Sequence, residues 1–197
     1  MITRILLDMD EVITDFTGGA CRVHGWTRQE LEAERSPGEW DITKPMGITQ
    51  DEFWAPINAA GSDFWFGLQP LPWIYDVLHM MDSLTDKWFI LSSPAWGSAS
   101  YIGKVLWLKR FFGHKFDRFC ITPHKYLLAK EGALLIDDSP HNVETFRSAG
   151  GRALLFPSRG NDLYRWADDP VPALEAIIKG GFAPVPRKEP YHALDLS

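Results

Sequence analysis

At 197 residues the chain is long enough for one substantial core, or for a core with a modest insertion, and its 45% hydrophobic content is ordinary for a globular protein. With no run of about 18 apolar residues and no basic region leading into an apolar block at the start, a soluble, unprocessed protein without membrane partners is expected. The net charge of −6, with no Lys/Arg block, argues against a surface that tracks a polynucleotide, though not against one small anionic substrate.

Cys21 and Cys120 are too few for a disulfide framework or a zinc cluster, which fits a reducing, cytoplasmic compartment. The six histidines are scattered without paired metal-ligand spacing.

The first element, Ile2 to Leu7, reads as a buried strand that delivers Asp8 and Asp10 to its carboxyl end, where open α/β sheets bind ligands. Two like charges so close, with no base in the run, repel each other unless a cation bridges them or one holds a proton. A solvated acidic turn is the plain alternative. A second pair, Asp137-Asp138, follows another strand-like run, Ala133 to Ile136, and the two pairs together compose an oxygen-lined site for a hard cation such as Mg²⁺.

From residue 16 to 70 the sequence carries helical fragments over 17–24, 28–33 and 49–60, separated by breakers such as Ser36-Pro37-Gly38, with no confident strand. Thr27 with Glu30 and Thr49 with Glu52 are capping boxes. This stretch reads as a small helical cap inserted after the first strand, and it is dense in rings. Packing accounts for Trp26 and Phe53 at helical spacing. Phe16 and the run Asp63-Phe64-Trp65-Phe66 equally suit an apolar slot that faces the carboxylates and stacks a planar ring.

From Leu71 onward strands and helices alternate. A helix is expected from Leu71-Pro72 to Leu84, then a strand over 87–91 ending in Ser92-Ser93-Pro94. The next helix, 98–112, takes Ile102, Val105, Leu106 and Leu108 as its apolar side. A short strand over 118–122 leads to Lys125, the acidic strand to Asp137-Asp138, and Ser139-Pro140 opens a helix that ends at Gly150-Gly151. A strand over 152–156 and a helix over 172–179 complete an α/β fold, a Rossmann-like, mostly parallel sheet with helices on both faces. The core is therefore assigned to 1–15 and 71–181, the cap to 16–70, and a Pro- and charge-rich tail to 182–197.

Side by side, the strand ends gather Asp8, Asp10, Ser92, Ser93, Lys125, Asp137 and Asp138. Carboxylates around a cation, a hydroxyl and an ammonium suit a phosphate ester: Mg²⁺ and Lys offset charge on the transferring group, one carboxylate attacks phosphorus and its neighbour moves the proton. Taken alone, Ser92 is as well a turn residue and Lys125 as well a surface residue.

Asp8-Met9-Asp10-Glu11-Val12, Ser92, Lys125 and Leu135-Ile136-Asp137-Asp138 resemble the four ordered motifs of the haloacid dehalogenase (HAD) superfamily of phosphohydrolases. Asp15-Phe16, Phe64-Trp65-Phe66 running into Leu68-Gln69-Pro70-Leu71-Pro72, Ser92-Ser93-Pro94 and Ser139-Pro140 bring the likeness closest to its 5'(3')-deoxyribonucleotidases, over about residues 4 to 156. The resemblance implies an Mg²⁺-dependent phosphomonoesterase of nucleoside monophosphates working through an aspartyl-phosphate. Asp8 would be nucleophile and metal ligand, and Asp10 the general acid/base, touching the metal through its backbone carbonyl. Ser92 would bind phosphate and Lys125 neutralise it, with Asp138 a direct ligand and Asp137 behind it. The base would lie against Phe16 and some of Trp40, Trp54 and Trp65, with Ser93 beside the phosphate.

The sequence departs from the family pattern at Glu11, where Gly is usual, and at Ser92, where Thr is usual. The interval from Lys125 to the acidic pair also leaves Lys130 as a second candidate. A phosphatase of another small ester or of a polynucleotide end, a non-catalytic nucleotide binder, a signalling receiver domain, and a homodimer all stay open at this stage.

Overall fold

The computed structural model describes residues 2–180, so the tail expected at 182–197 lies outside the described residues. Five strands, β1 (Arg4–Leu7), β2 (Trp88–Ser92), β3 (Phe119–Ile121), β4 (Ala133–Asp137) and β5 (Arg152–Leu155), form one all-parallel sheet in the order β3-β2-β1-β4-β5. Leu7 stands level with Ile90 of β2 and Ile136 of β4, so the residues that follow emerge side by side at one edge. Alternate residues of β1 feed two cores. Ile5 and Leu7 pack with Ile90, Ile136 and Trp107 on one face, Leu6 with Leu91, Leu135, Val143 and Phe146 on the other. A strand buried on both faces reads as an unbroken apolar run, which is why β1 and β4 are so legible.

Five short helices, α1 (Phe16–Val23), α2 (Arg28–Glu34), α3 (Thr43–Met46), α4 (Gln50–Ala60) and α5 (Ser62–Phe66), lie between β1 and α6 (Ile74–Leu84). Both capping boxes form, Thr27 with Glu30 and Thr49 with Glu52. Helices α7 (Ser98–Phe112), α8 (Pro140–Ser148) and α9 (Pro170–Lys179) complete the set, with 3-10 turns at Lys125–Leu128 and Tyr164–Trp166. No helix among the described residues is long and apolar enough to cross a membrane.

Two expectations need correction. Helix α6 starts at Ile74 rather than Leu71, because the preceding residues are held elsewhere: Pro70 bridges to Thr14, and the Leu71 N–H donates to the Ile13 carbonyl at 3.0 Å. The inward face of α7 is Ser100, Gly103, Lys104, Trp107 and Leu108, while Ile102 and Leu106 are exposed. The cause is the neighbour that α7 packs against. A Cβ at position 103 would sit 2.4 Å from the Ser62 carbonyl oxygen and 2.5 Å from Trp65 Cβ, so only glycine lets α5 approach this closely. The Trp107 indole then donates to the Leu68 carbonyl at 2.8 Å.

A second seam joins the turn at residues 36–40 to the loop at 158–161. Arg35 donates to the carbonyls of Glu39 (2.7 Å) and Trp40 (3.4 Å), and Gly160 lies so near that an added Cβ would meet Arg35 Nη2 at 2.7 Å. Asn161 fastens the loop to the sheet edge, its amide donating to the carbonyls of Asp138 and Phe156, both at 2.8 Å.

Candidate active site

Beyond β1 the backbone folds tightly over residues 9–14, with the amides of Ile13 and Thr14 both donating to the Met9 carbonyl at 2.9 Å. This turn requires a left-handed residue at its second step, and Glu11, with φ 56°, takes that conformation. A side chain there costs about 1 kcal/mol relative to glycine, so the unusual residue needs compensation. Its carboxylate accepts from the Thr17 amide and from the Arg28 guanidinium, both at 2.7 Å, and Arg28 also pairs with Asp15. Glu11 thereby ties the turn to α1 and α2.

The sheet edge collects the acidic residues. Asp8 is buried and Lys125, from the turn after β3, donates to its Oδ1 and to Asp137 Oδ2, each at 2.6 Å. Lys130, the other candidate, makes no such contact among the described residues. Asp137 is otherwise saturated: Oδ1 accepts from the Ser139 amide (2.9 Å), and Asn142 donates to both oxygens at 3.1 Å. Asp138 is buried too, and no donor among the described residues bonds its carboxylate. One oxygen each of Asp8, Asp137 and Asp138 lie within 4.8 Å of one another.

Three buried carboxylates against one lysine leave an excess of negative charge. Burial and then the neighbouring Asp137 push the Asp8 carboxyl up to about 7, against the pull of Lys125. Burial, followed by the repulsion of Asp137 and Asp8, holds Asp138 well above the usual carboxylate range. Burial pushes Lys125 down, and Asp8 and Asp137 more than offset this, keeping it above the usual lysine range. Carboxylates that resist ionisation until positive charge arrives, one of them without a protein donor, fit a small hard cation bound by oxygen.

Sequence reasoning missed Lys104. Fully buried on α7, its ammonium pairs with Asp10 Oδ2 and donates to Ser92 Oγ (2.8 Å) and the Ser93 carbonyl (2.6 Å), above the Trp65 ring at 4.9 Å. Ser92 is therefore buried as an acceptor, and Ser93 contributes its carbonyl to Lys104. The available signal was position: Ser100, Gly103, Lys104 and Trp107 share one helical face, and a lysine between Gly and Trp on a buried face has to find a carboxylate.

A cavity of about 310 Å³ is lined by Asp138 and Glu11, by Phe16, Phe53, Trp54 and Trp40, and by Arg35, Asp41, Thr43 and Gln50. Phe16, Trp54 and Trp40 thus line one space with the acidic edge. Trp65 does not: it is buried, stacked on Phe16 with ring centroids 5.6 Å apart and wedged toward α7. Phe53, expected only to pack, is both buried and part of the cavity wall.

A family model described as 5' nucleotidase, deoxy (pyrimidine), cytosolic type C protein matches residues 1–167. The mitochondrial 5'(3')-deoxyribonucleotidase of Mus musculus is 30% identical over 186 residues, covering 84% of this chain and 82% of the relative. The cytosolic-type 5'(3')-deoxyribonucleotidase of Homo sapiens is 28% identical over 189 residues, covering 84% and 90%. Among solved structures, a HAD family hydrolase from Deinococcus radiodurans R1 superposes with a TM-score of 0.57 at 15% identity over 94% of this chain and 99% of that one. A haloacid dehalogenase-like family protein from Streptococcus pneumoniae gives 0.53 at 21% identity over 89% and 98%. At such identities the structures speak to the fold.

Proposed function

The chain belongs to the type C deoxypyrimidine 5'-nucleotidase family, phosphoric monoester hydrolases within the HAD superfamily, and from that premise we propose that it dephosphorylates nucleoside monophosphates, deoxyribonucleotides above all, with Mg²⁺ and through a phosphorylated Asp8. The observation that carries this reading is the continuity of one cavity from the acidic edge at Asp138 to the rings of Phe16, Trp54 and Trp40, so that phosphate and base have adjoining places. Phosphomonoester chemistry needs the first end and nucleoside binding the second.

In this reading the carboxylates of Asp8 and Asp138 and the backbone carbonyl of Asp10 hold the metal, with Asp137 behind them orienting Lys125. When bound, Mg²⁺ supplies the positive charge that lets an anionic nucleophile approach an anionic phosphate. Asp8 attacks phosphorus and Asp10 protonates the departing ester oxygen. Asp10 then takes a proton from the water that hydrolyses the phosphorylated Asp8. Lys125, held between Asp8 and Asp137, offsets charge at the nucleophile. Lys104 fills the acceptor side of Ser92, whose hydroxyl makes only a long 3.5 Å bond to the Ser93 carbonyl and would turn from it to a phosphate oxygen. Residues 16–70 serve as the cap that covers the base, over a core of 1–15 and 71–181.

The test is Asp8→Asn, which keeps shape and removes the nucleophile. Phosphate release from deoxyribonucleotides should be lost while the thermal transition stays near that of the parent. Turnover close to the parent's, or undiminished turnover after exhaustive chelation, overturns the proposal.

A further inference from the structure

Of the three buried carboxylates at the sheet edge, two are aimed by donors. Lys125 holds Asp8, while Lys125, the Ser139 amide and Asn142 hold Asp137. Asp138 has no such help, since no donor among the described residues bonds its carboxylate. Strand β4 also ends one residue earlier, at Asp137, so the ladder does not extend over Asp138. Its backbone is held instead by Asn161, from the loop after β5. The Asn161 side-chain amide donates to the carbonyls of Asp138 and Phe156, both at 2.8 Å, and reaches Ser158 Oγ at 3.1 Å. On its other side, Asn161 Oδ1 accepts from the backbone amides of Leu163 (2.9 Å) and Ser158 (3.4 Å). N–H donors at one end and carbonyls at the other leave the side chain a single orientation. Asn161 is 2% exposed and Asp138 5%, so water has little access to these bonds.

Resting on the reading that Asp138 ligates the metal, we infer that Asn161 is a positioning residue for that site: by fixing the Asp138 peptide it aims the carboxylate that no side chain steers, and so sets the affinity for Mg²⁺. The direction of a carboxylate follows from its backbone and its two side-chain torsions. With no donor on the Asp138 oxygens, the backbone is the part that can be held, and Asn161 holds it. Mg²⁺ demands near-octahedral oxygen geometry at short range, so it tolerates a turned ligand poorly. Groups that orient a metal ligand from behind change metal affinity by about 10–100-fold when they are removed. The same loop has a second tether, the surface ion pair of Arg159 with Asp168, which makes no bond to Asp138 and serves as the internal comparison.

The experiment follows the Tm of the full chain against Mg²⁺ concentration with no substrate present, and beside it the Mg²⁺ dependence of p-nitrophenyl phosphate hydrolysis. In Asn161→Ala, the apparent Kd for Mg²⁺ from the rise of Tm and the Mg²⁺ concentration for half-maximal hydrolysis should both increase about tenfold. At saturating Mg²⁺ its kcat should return to within about twofold of the parent's. Asp168→Ala should match the parent in both measurements. A folded Asn161→Ala that responds to Mg²⁺ as the parent does, or an equal loss in Asp168→Ala, overturns the inference and leaves the nucleotidase reading standing. So does a kcat that excess Mg²⁺ fails to restore, which marks a merely structural role. No response to Mg²⁺ in the parent, or an unchanged response in Asp138→Asn, overturns the metal assignment and the inference with it. Should Asn161→Ala not fold, the parent decides: its Asn161 side-chain amide resonances should shift with Mg²⁺ along the same saturation curve as the Asp138 backbone amide, and side-chain resonances that stay still overturn the inference.

Discussion

Replacing Lys104 by methionine separates its electrostatic work from its packing. Methionine keeps most of the aliphatic stem against Trp65 and deletes the ammonium that pairs with Asp10 and bonds Ser92 Oγ and the Ser93 carbonyl. Removing one member of a fully buried ion pair costs roughly 3–5 kcal/mol. Here the Asp10 side chain is 26% exposed while Lys104 is fully buried, so water partly rehydrates the stranded carboxylate and the desolvation of the lysine is relieved. A loss of about 2–3 kcal/mol is the reasonable scale, equivalent to a fall in Tm of roughly 4–12 °C for a chain of this size.

The catalytic effect should be larger than the effect on stability. A freed Asp10 carboxylate and an unanchored Ser92 hydroxyl each lose their aim, and misplacement by about 1 Å costs on the order of 100-fold in rate. Steady-state phosphate release should show kcat down by about that factor with KM little changed. In the double variant Lys104→Met, Asp10→Asn both charges are gone, and much of the lost Tm should return while activity does not. A folded Lys104→Met with kcat within twofold of the parent would refute the reasoning, as would a double variant less stable than either single one.

Two other outcomes follow from the same geometry. Glu11→Gly and Glu11→Ala both release Arg28, but only glycine accepts the left-handed backbone freely, so the Ala variant should be less stable by about 1 kcal/mol. Equal melting temperatures would show that the turn relaxes when the tether to Arg28 is cut. Without a divalent ion, the native chain keeps a proton on Asp8, held at about 7, that the unfolded chain has already released. Stability of chelated protein should therefore decline as pH rises from about 4 toward 7, the window between the unfolded carboxylate value and the raised one. Excess Mg²⁺ should flatten that decline, because the cation replaces the proton. Calorimetric scans across the window, with and without the metal, would contradict this if the chelated protein became more stable toward about pH 7.

The sheet and its acidic edge could be read from the amino acids because burial on both faces writes β1 and β4 as unbroken apolar runs, and a carboxylate pair directly after such a run has few structural uses. The capping boxes at Thr27 and Thr49 were equally legible, being local chemistry complete within four residues. What failed was the orientation of α7. Its hydrophobic side chains suggested Ile102 and Leu106 as inward, but the partner surface demanded a missing Cβ at Gly103, and the partly buried carboxylate of Asp10 at the sheet edge is met by a cation at Lys104. Trp65 was placed in the slot for the same reason. An aromatic residue near a site in sequence says nothing of which side of the neighbouring ring it occupies, and Phe16 stands between it and the cavity. Asp41 and Gln50 gave no sign at all, since their pairing joins a loop to the first turn of α4.

The absence of any side chain at Gly103 also bears on which wall of the cavity is held most firmly. Helices α5 and α7 touch backbone to backbone there, so a swing of the whole insertion about the segment leading into α6 would have to tear this contact open. The turn carrying Trp40 has a lighter hold, resting against the loop of Gly160 and clasped mainly by Arg35. Displacing that turn would break fewer contacts than displacing the helical insertion from α7, so the cavity is walled more lightly on the Trp40 side.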